Sequence, residues 1–354
     1  MIFLTGLSYM KRYKLVFFKS LYCLVILVLG IFFLNNKTYC ADKTFIIKFA
    51  TVAPDGSIWV NYMRDLDKRL RLKSQGKIGF RIYAGGIAGD ELDVLKKIRI
   101  GQIHCAAFSG VGINEILPIW RIMDLPFLFK NSDEVKAVHR ELDILFKEEF
   151  RKKGFEYITW AEVGDVYLFS KKEIKNRNDF KGLKIWTWSG DPVSKKTFTM
   201  MGSIPISLSI TDVTTAINTN MIDTVYAPPI GALSMQWNDR MSHMTGFPIA
   251  HSTGAILISK EYFDNIPEDL IKLFNNEVKI SMTELSSALN KQADESIKII
   301  VQKGVKISDH PGPKEVAEFN ELHNEIANSL IGEIFPDTLL LKVNNILHKE
   351  RSTN

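Results

Sequence analysis

A metal site or an activated nucleophile in this chain would have to be built from seven histidines and three cysteines. The histidines are His104, His139, His243, His251, His310, His323 and His348, and none has an HxxxH or CxxC companion. Zinc sites use ligand pairs at short spacing, so no metal is expected. Ser109-Gly110-Val111-Gly112 shares letters with a nucleophile elbow but lacks the G-x-S-x-G order. Gly85-Gly86-Ile87-Ala88-Gly89 lacks dinucleotide spacing, and Asp90 and Glu91 stand where a phosphate would sit. Acids at a helix N-terminus repel phosphate and favour the helix dipole, which makes this a turn into a capped helix. No catalytic constellation and no cofactor site emerge, so an enzyme is not expected. The acids Glu162, Asp165 and Asp191 could hold a hard cation with oxygen ligands, although turn acids are more often simply solvated.

Aromatic residues are the more informative set. Residues 181–192 read KGLKIWTWSGDP. Strand side chains alternate, so Trp186 and Trp188 share one face, opposite Leu183, Ile185 and Thr187. Phe108, Trp160 and Tyr226 likewise fall near the ends of strand-like runs. In two-lobed α/β proteins ligands bind beyond the carboxyl ends of the strands. Each ring taken alone fits a core; together they outline an aromatic cleft.

The elements that would carry these rings alternate along the chain. Strand patterns occupy 45–53, 78–84, 103–109, 157–163, 166–172, 183–188 and 221–227, with helical periodicity at 59–72, 90–100 and 193–201. This alternation predicts an α/β fold with mostly parallel sheets. From Pro267 to about Gly304 the pattern becomes one long helix without internal proline or glycine. Its length, about 54 Å at about 1.5 Å per residue, exceeds one lobe. Roughly 310 residues also exceed a single comfortable core, so two lobes are expected.

Residues 1–40 are set apart. Lys11, Arg12, Lys14 and Lys19 precede an apolar run from Leu21 to Leu34, followed by a polar stretch ending at Cys40. This is the pattern of a secretory signal peptide, with Met1 or Met10 as the start and cleavage before Ala41. The segment holds five of the 45 Lys and Arg and none of the 40 Asp and Glu, so 40 cations face 40 acids in the remainder. The basicity belongs to the leader, which removes the case for nucleic acid. Cys105 is then the one remaining cysteine, and stability must come from burial.

The stretches ATVAPDGSIW, YAGGIAGDELDVLKKIRIGQIHCAAFS, MDLPFLF, DFKGLKIWTW and SLSITDVTTAINTNMIDTVYAPP, followed by the long helix, carry a resemblance over residues 44–350. They resemble the extracytoplasmic solute-binding subunits of TRAP (tripartite ATP-independent periplasmic) transporters, the DctP-type family. The resemblance implies a two-lobed periplasmic binding protein fold whose cleft closes over a ligand, with a long helix bridging the lobes. It implies a periplasmic location, no catalysis, and delivery of the solute to a membrane permease of small and large subunits. The lobes are expected to comprise 41–164 with 252–290, and 165–251 with 291–354.

The departures from the family pattern bear on the ligand. Relatives commonly place a carboxylate-binding arginine after G-L-K-I, where this chain has Trp186. A second arginine is frequent where Val166 stands, and an asparagine where Ala227 stands. A carboxylate in a dry cleft without charge-assisted partners loses several kcal/mol, roughly the cost of an unpaired buried polar group. Tryptophan offers an apolar face and one N–H donor. The expected ligand is therefore hydrophobic or amphipathic. Trp59, Phe108 and Ser109 would contact it from the first lobe, and Trp186, Trp188, Tyr226 and Trp237 from the second. Val166 and Ala227 would complete the wall. The variant is similar to the TRAP subclass that works with a tetratricopeptide-repeat protein, which implies such a periplasmic partner. The alternatives are a small 2-oxo acid held through a cation on Glu162, Asp165 or Asp191 and, in another class, an enzyme or an interaction module that has lost ligand binding.

Overall fold

The computed structural model describes residues 43–353. The signal-peptide segment expected at 1–40 lies outside the described residues. No helix among the described residues is long and apolar enough to cross a membrane.

The chain opens with strand β1 (Phe45–Ala50), helix α1 (Ile58–Lys73), β2 (Ile78–Tyr83), α2 (Glu91–Arg99), β3 (Cys105–Ser109) and α3 (Gly110–Asn114). Helix α4 (Ser132–Lys152) leads into β4 (Phe155–Ser170), β5 (Lys184–Trp188), α5 (Pro192–Met200) and β6 (Ile204–Leu208). Then come α6 (Val213–Asn218), β7 (Thr224–Ala227), α7 (Pro229–Ser234), β8 (His243–Met244), β9 (Ala250–Ser259) and α8 (Lys260–Phe263). The long helix α9 (Glu268–Gln302), β10 (Lys306–Ile307), α10 (Pro313–Leu330) and α11 (Asp337–Thr353) complete the order.

The main path of the sheet runs β2-β1-β3-β9-β4-β7-β5-β6. Its two outer parts are parallel: β1 with β2 and β3, and β5 with β6 and β7. The middle is antiparallel, because β4 and β9 run against each other and against β7 and β3. The sequence pattern places two strands at 157–163 and 166–172, whereas the structure has one strand of 16 residues. Gly164 explains the difference. It takes a positive φ of 115° at a register shift opposite Thr253 and Ser252, so the chain bulges and continues. Strand β4 can thereby serve both outer parts.

Local chemistry starts the helices that border the crevice. Ser57 caps α1 and accepts from Val60 N. Gly85, Gly86 and Gly89 all adopt positive φ in the turn after β2, which then enters α2 through the Asp90 cap. Helix α9 has 35 residues, or about 52 Å. Its early residues Leu270, Phe274 and Val278 pack with Ile47, Phe49 and Phe80 of the first parallel part. Near its end, Ile300 joins the cluster around Trp186 and Trp188.

Helix α11 lies on α4, where Arg351 donates to both oxygens of the buried Glu134 at 2.7 and 2.8 Å and to Leu128 O at 2.8 Å. Its apolar residues Leu340, Val343 and Leu347 share a core with Val135, Val138 and Leu142, which sequence periodicity in α11 could not assign to a partner.

Candidate functional site

A cavity of about 290 Å³ opens at the carboxyl ends of the parallel strands β1, β3, β5 and β7. Its wall includes Trp59, Phe108, Ser109, Val166, Trp186, Trp188, Tyr226, Ala227 and Trp237, so the structure brings all nine residues proposed from sequence to one space. Trp160 is elsewhere: its ring stacks on His139 at 4.0 Å and does not line the cavity.

The aromatic wall is a packed unit. Trp186 stacks on Tyr226 at 5.0 Å, meets Trp237 edge-on at 5.2 Å and lies 5.7 Å from Trp188. Such offset and edge contacts each add about 0.5–1.5 kcal/mol beyond the area buried, so the wall is preorganised. The N–H groups of these three indoles all have partners within the protein. Trp186 Nε1 donates to Leu208 O at 3.1 Å, and Trp237 Nε1 to Thr214 Oγ1 at 3.2 Å. Trp188 Nε1 donates to both Asp90 oxygens at 3.0 and 2.9 Å. These three of the four indoles in the wall, Trp59 being the fourth, therefore offer carbon surface and edges, with their N–H groups taken.

Ser109 is committed as well. Its N–H and hydroxyl both donate to Glu91 at 2.9 Å, and its oxygen accepts from Val111 N at the start of α3. Glu91 also accepts from Gly112 N at 2.8 Å, and burial pushes its carboxyl up to about 7 despite these bonds.

Asp90 joins the two parallel parts. Besides capping α2, it accepts from Trp188 of β5 and, beyond β6, from Ser209 Oγ at 2.6 Å and Ile210 N at 3.2 Å. A second connection uses Arg121, which is 4% exposed. Its Nη2 lies 3.0 Å from Asp191 Oδ1 and its Nε 3.0 Å from Asp124 Oδ2. Burial works against the guanidinium charge, but Asp191 and Asp124 outweigh it and hold the group above its usual range. Burial also pushes Asp124 up to about 6, against the pull of Arg121.

The three acids considered for a cation are separated by these pairings. Asp191 is held by Arg121 and caps α5, while Glu162 and Asp165 flank His251 at 3.1 and 2.9 Å. Burial disfavours the imidazolium, yet its bonds to Asp165 and Glu162 prevail and lift His251 to about 9. Among the described residues no group of three His, Cys, Asp or Glu is arranged to hold a metal ion.

Sequence reasoning overlooked the polar corner of the cavity. Arg121, Asp124, Ser194 and Thr197 line it together with Tyr226. The one available signal was a single cation inside the apolar run Ile116 to Met123.

Comparison with known proteins agrees with this architecture. The family model "DctP: Bacterial extracellular solute-binding protein, family 7" matches residues 49–332. A solute-binding protein of Verminephrobacter eiseniae is 27% identical over 238 residues, covering 65% of this chain and 68% of its own. The C4-dicarboxylate-binding periplasmic protein DctP of Rhodobacter capsulatus is 20% identical over 287 residues, covering 79% and 81%. Among solved structures, the sugar acid binding protein DctPAm of Advenella mimigardefordensis, in complex with galactonate, superposes with a TM-score of 0.82. It is 20% identical, with 87% of this chain and 99% of that one covered, so the fold is shared.

Proposed function

The chain belongs to the DctP family, bacterial extracellular solute-binding protein family 7, and we propose that it captures an amphipathic solute, an apolar body with one polar end, for a TRAP permease. The observation that carries this reading is the composition of the cavity wall: four indoles, of which Trp186, Trp188 and Trp237 have their N–H groups already bonded, beside one guanidinium already set between two carboxylates. Galactonate and C4-dicarboxylates, the ligands named for the relatives above, are polar acids whose charge must be met by cations. Here Trp186 stands where the family resemblance leads one to expect an arginine, and it is enclosed by rings on two sides. A ligand burying about 200 Å² of apolar surface against this wall would gain about 5 kcal/mol.

Capture follows from closure. Asp90 with Trp188, and Arg121 with Asp191, link the first parallel part to the second, with the cavity beside them. A solute that touches both parts adds to the same contacts and favours the closed arrangement. The acceptors of the solute are the small and large permease subunits. The tetratricopeptide-repeat partner belongs to the same reading, and affinity capture with the purified repeat protein tests it.

Thermal-shift titration tests the ligand class. 3-Phenylpropanol and 3-phenylpropanamide are expected to raise the melting temperature. Succinate, galactonate and pyruvate with Ca²⁺ are expected to leave it unchanged. Stabilisation by the polar acids alone overturns the amphipathic reading.

A further inference from the structure

Four buried polar atoms on residues that line the cavity lack a hydrogen-bond partner: Arg121 Nη1, Tyr226 Oη, Ser194 Oγ and Thr197 Oγ1. Arg121, Ser194 and Thr197 are 4%, 8% and 4% exposed. The hydroxyl of Tyr226 neighbours that of Ser194 and the Trp188 backbone, yet no bond of ordinary geometry closes with either. Buried polar groups are nearly always paired, so four orphans converging on one cavity mark a place where a ligand atom belongs. The corner also has a definite charge. Arg121 is the cation, and Asp124 and Asp191 oppose it at 3.0 Å each. Glu91 faces the cavity from α2 and Tyr226 from β7. His251, from β9, is occupied by Glu162 and Asp165. An added carboxylate would place a third anion around one guanidinium in a poorly solvated space.

Building on the amphipathic reading, we infer that Arg121, Tyr226, Ser194 and Thr197 form the head-group subsite, and that it takes an uncharged oxygen head. A hydroxyl, an amide carbonyl, or a carboxylic acid that keeps its proton meets this condition. Arg121 Nη1 and the hydroxyls donate to the head oxygen, and a head O–H or N–H returns a bond to a hydroxyl.

Isothermal titration of the full chain with 3-phenylpropanol, 3-phenylpropanamide and 3-phenylpropionate tests this, in two buffers of different protonation enthalpy. The alcohol and amide are expected to change in affinity alike between pH 7 and pH 8, and only as far as Glu91, raised to about 7, changes charge over that window. The acid is expected to weaken about tenfold per pH unit and to take up one proton on binding, because only its neutral form is accepted. Tyr226→Phe and Thr197→Val are each expected to lower amide affinity about tenfold. Both should leave the ligand-free protein at least as stable as the parent, since each removes an unpaired buried hydroxyl. Acid binding at pH 8 without proton uptake, or unchanged amide affinity in both variants, overturns the head-group assignment alone. Failure of all three probes overturns the amphipathic reading and the subsite with it.

Discussion

Replacing Asp90 by alanine is expected to weaken the closed structure far more than a helix cap would by itself. Loss of the cap on α2 costs about 1 kcal/mol. The carboxylate also receives Trp188 Nε1, Ser209 Oγ and Ile210 N from the other parallel part. Ser209 retains Thr211 Oγ1 at 2.8 Å as a partner, so Trp188 Nε1 and Ile210 N are the donors left stranded. A buried unsatisfied donor costs about 1–3 kcal/mol, which with the cap puts the total at about 3–7 kcal/mol. Urea unfolding of the parent and Asp90→Ala measures it. A double-mutant cycle with Trp188→Phe should give a coupling of about 1.5–3 kcal/mol, the range for a hydrogen bond to a charged group. Small-angle scattering should show Asp90→Ala shifting toward an open form. A loss below about 1 kcal/mol with near-zero coupling would refute the idea that this carboxylate ties the two parts together.

Other outcomes follow from the same geometry. The lift of His251 to about 9 stabilises the fold fully below pH 6.5 and is lost as pH rises through 9. Urea titrations should therefore lose up to about 3 kcal/mol across that window, and His251→Asn should flatten the loss. Glu91, raised to about 7, acts in the same direction in a lower window: stability falls as pH rises from 4.5 to 7, and Glu91→Gln should remove that slope. Trp186→Arg puts a guanidinium among rings at 5.0–5.7 Å and forfeits a large buried side chain. It should destabilise by about 3 kcal/mol or more without gaining succinate affinity; a folded variant that binds succinate contradicts this. Arg351→Ala strands the buried Glu134 and should cost about 1–3 kcal/mol in unfolding experiments, with Glu134→Gln in the same background restoring part of it.

Most of the fold was legible because periodicity and turn residues carry it. The alternation of elements, the length of α9 between Pro267 and Gly304, and the capped turn at Gly85–Gly89 are all local signals. The cavity wall was legible for a related reason: residues at the carboxyl ends of parallel strands converge by topology, and Phe108, Trp188 and Tyr226 occupy such ends. What escaped was nonlocal. Asp90 reads locally as a helix cap, and its bond to Trp188 spans 98 positions of sequence. Arg121 looks like an interruption in an apolar run until Asp124 and Asp191 are seen on either side of it. Likewise, no pattern could reveal that the N–H groups of Trp186, Trp188 and Trp237 were spent inside the wall. Strand β4 read as two because Gly164-Asp165 has turn chemistry, which a β-bulge uses equally well.

The proposed occupant of the aromatic cavity is a solute with an apolar body and one uncharged polar end. The most direct test is native mass spectrometry of the protein purified without refolding, followed by solvent extraction and identification of the bound molecule. A small molecule with at most one polar head is expected, its occupancy reduced in both Thr197→Val and Tyr226→Phe in line with an about tenfold loss of affinity. Recovery of a dicarboxylate or sugar acid, retained in both variants, would contradict it.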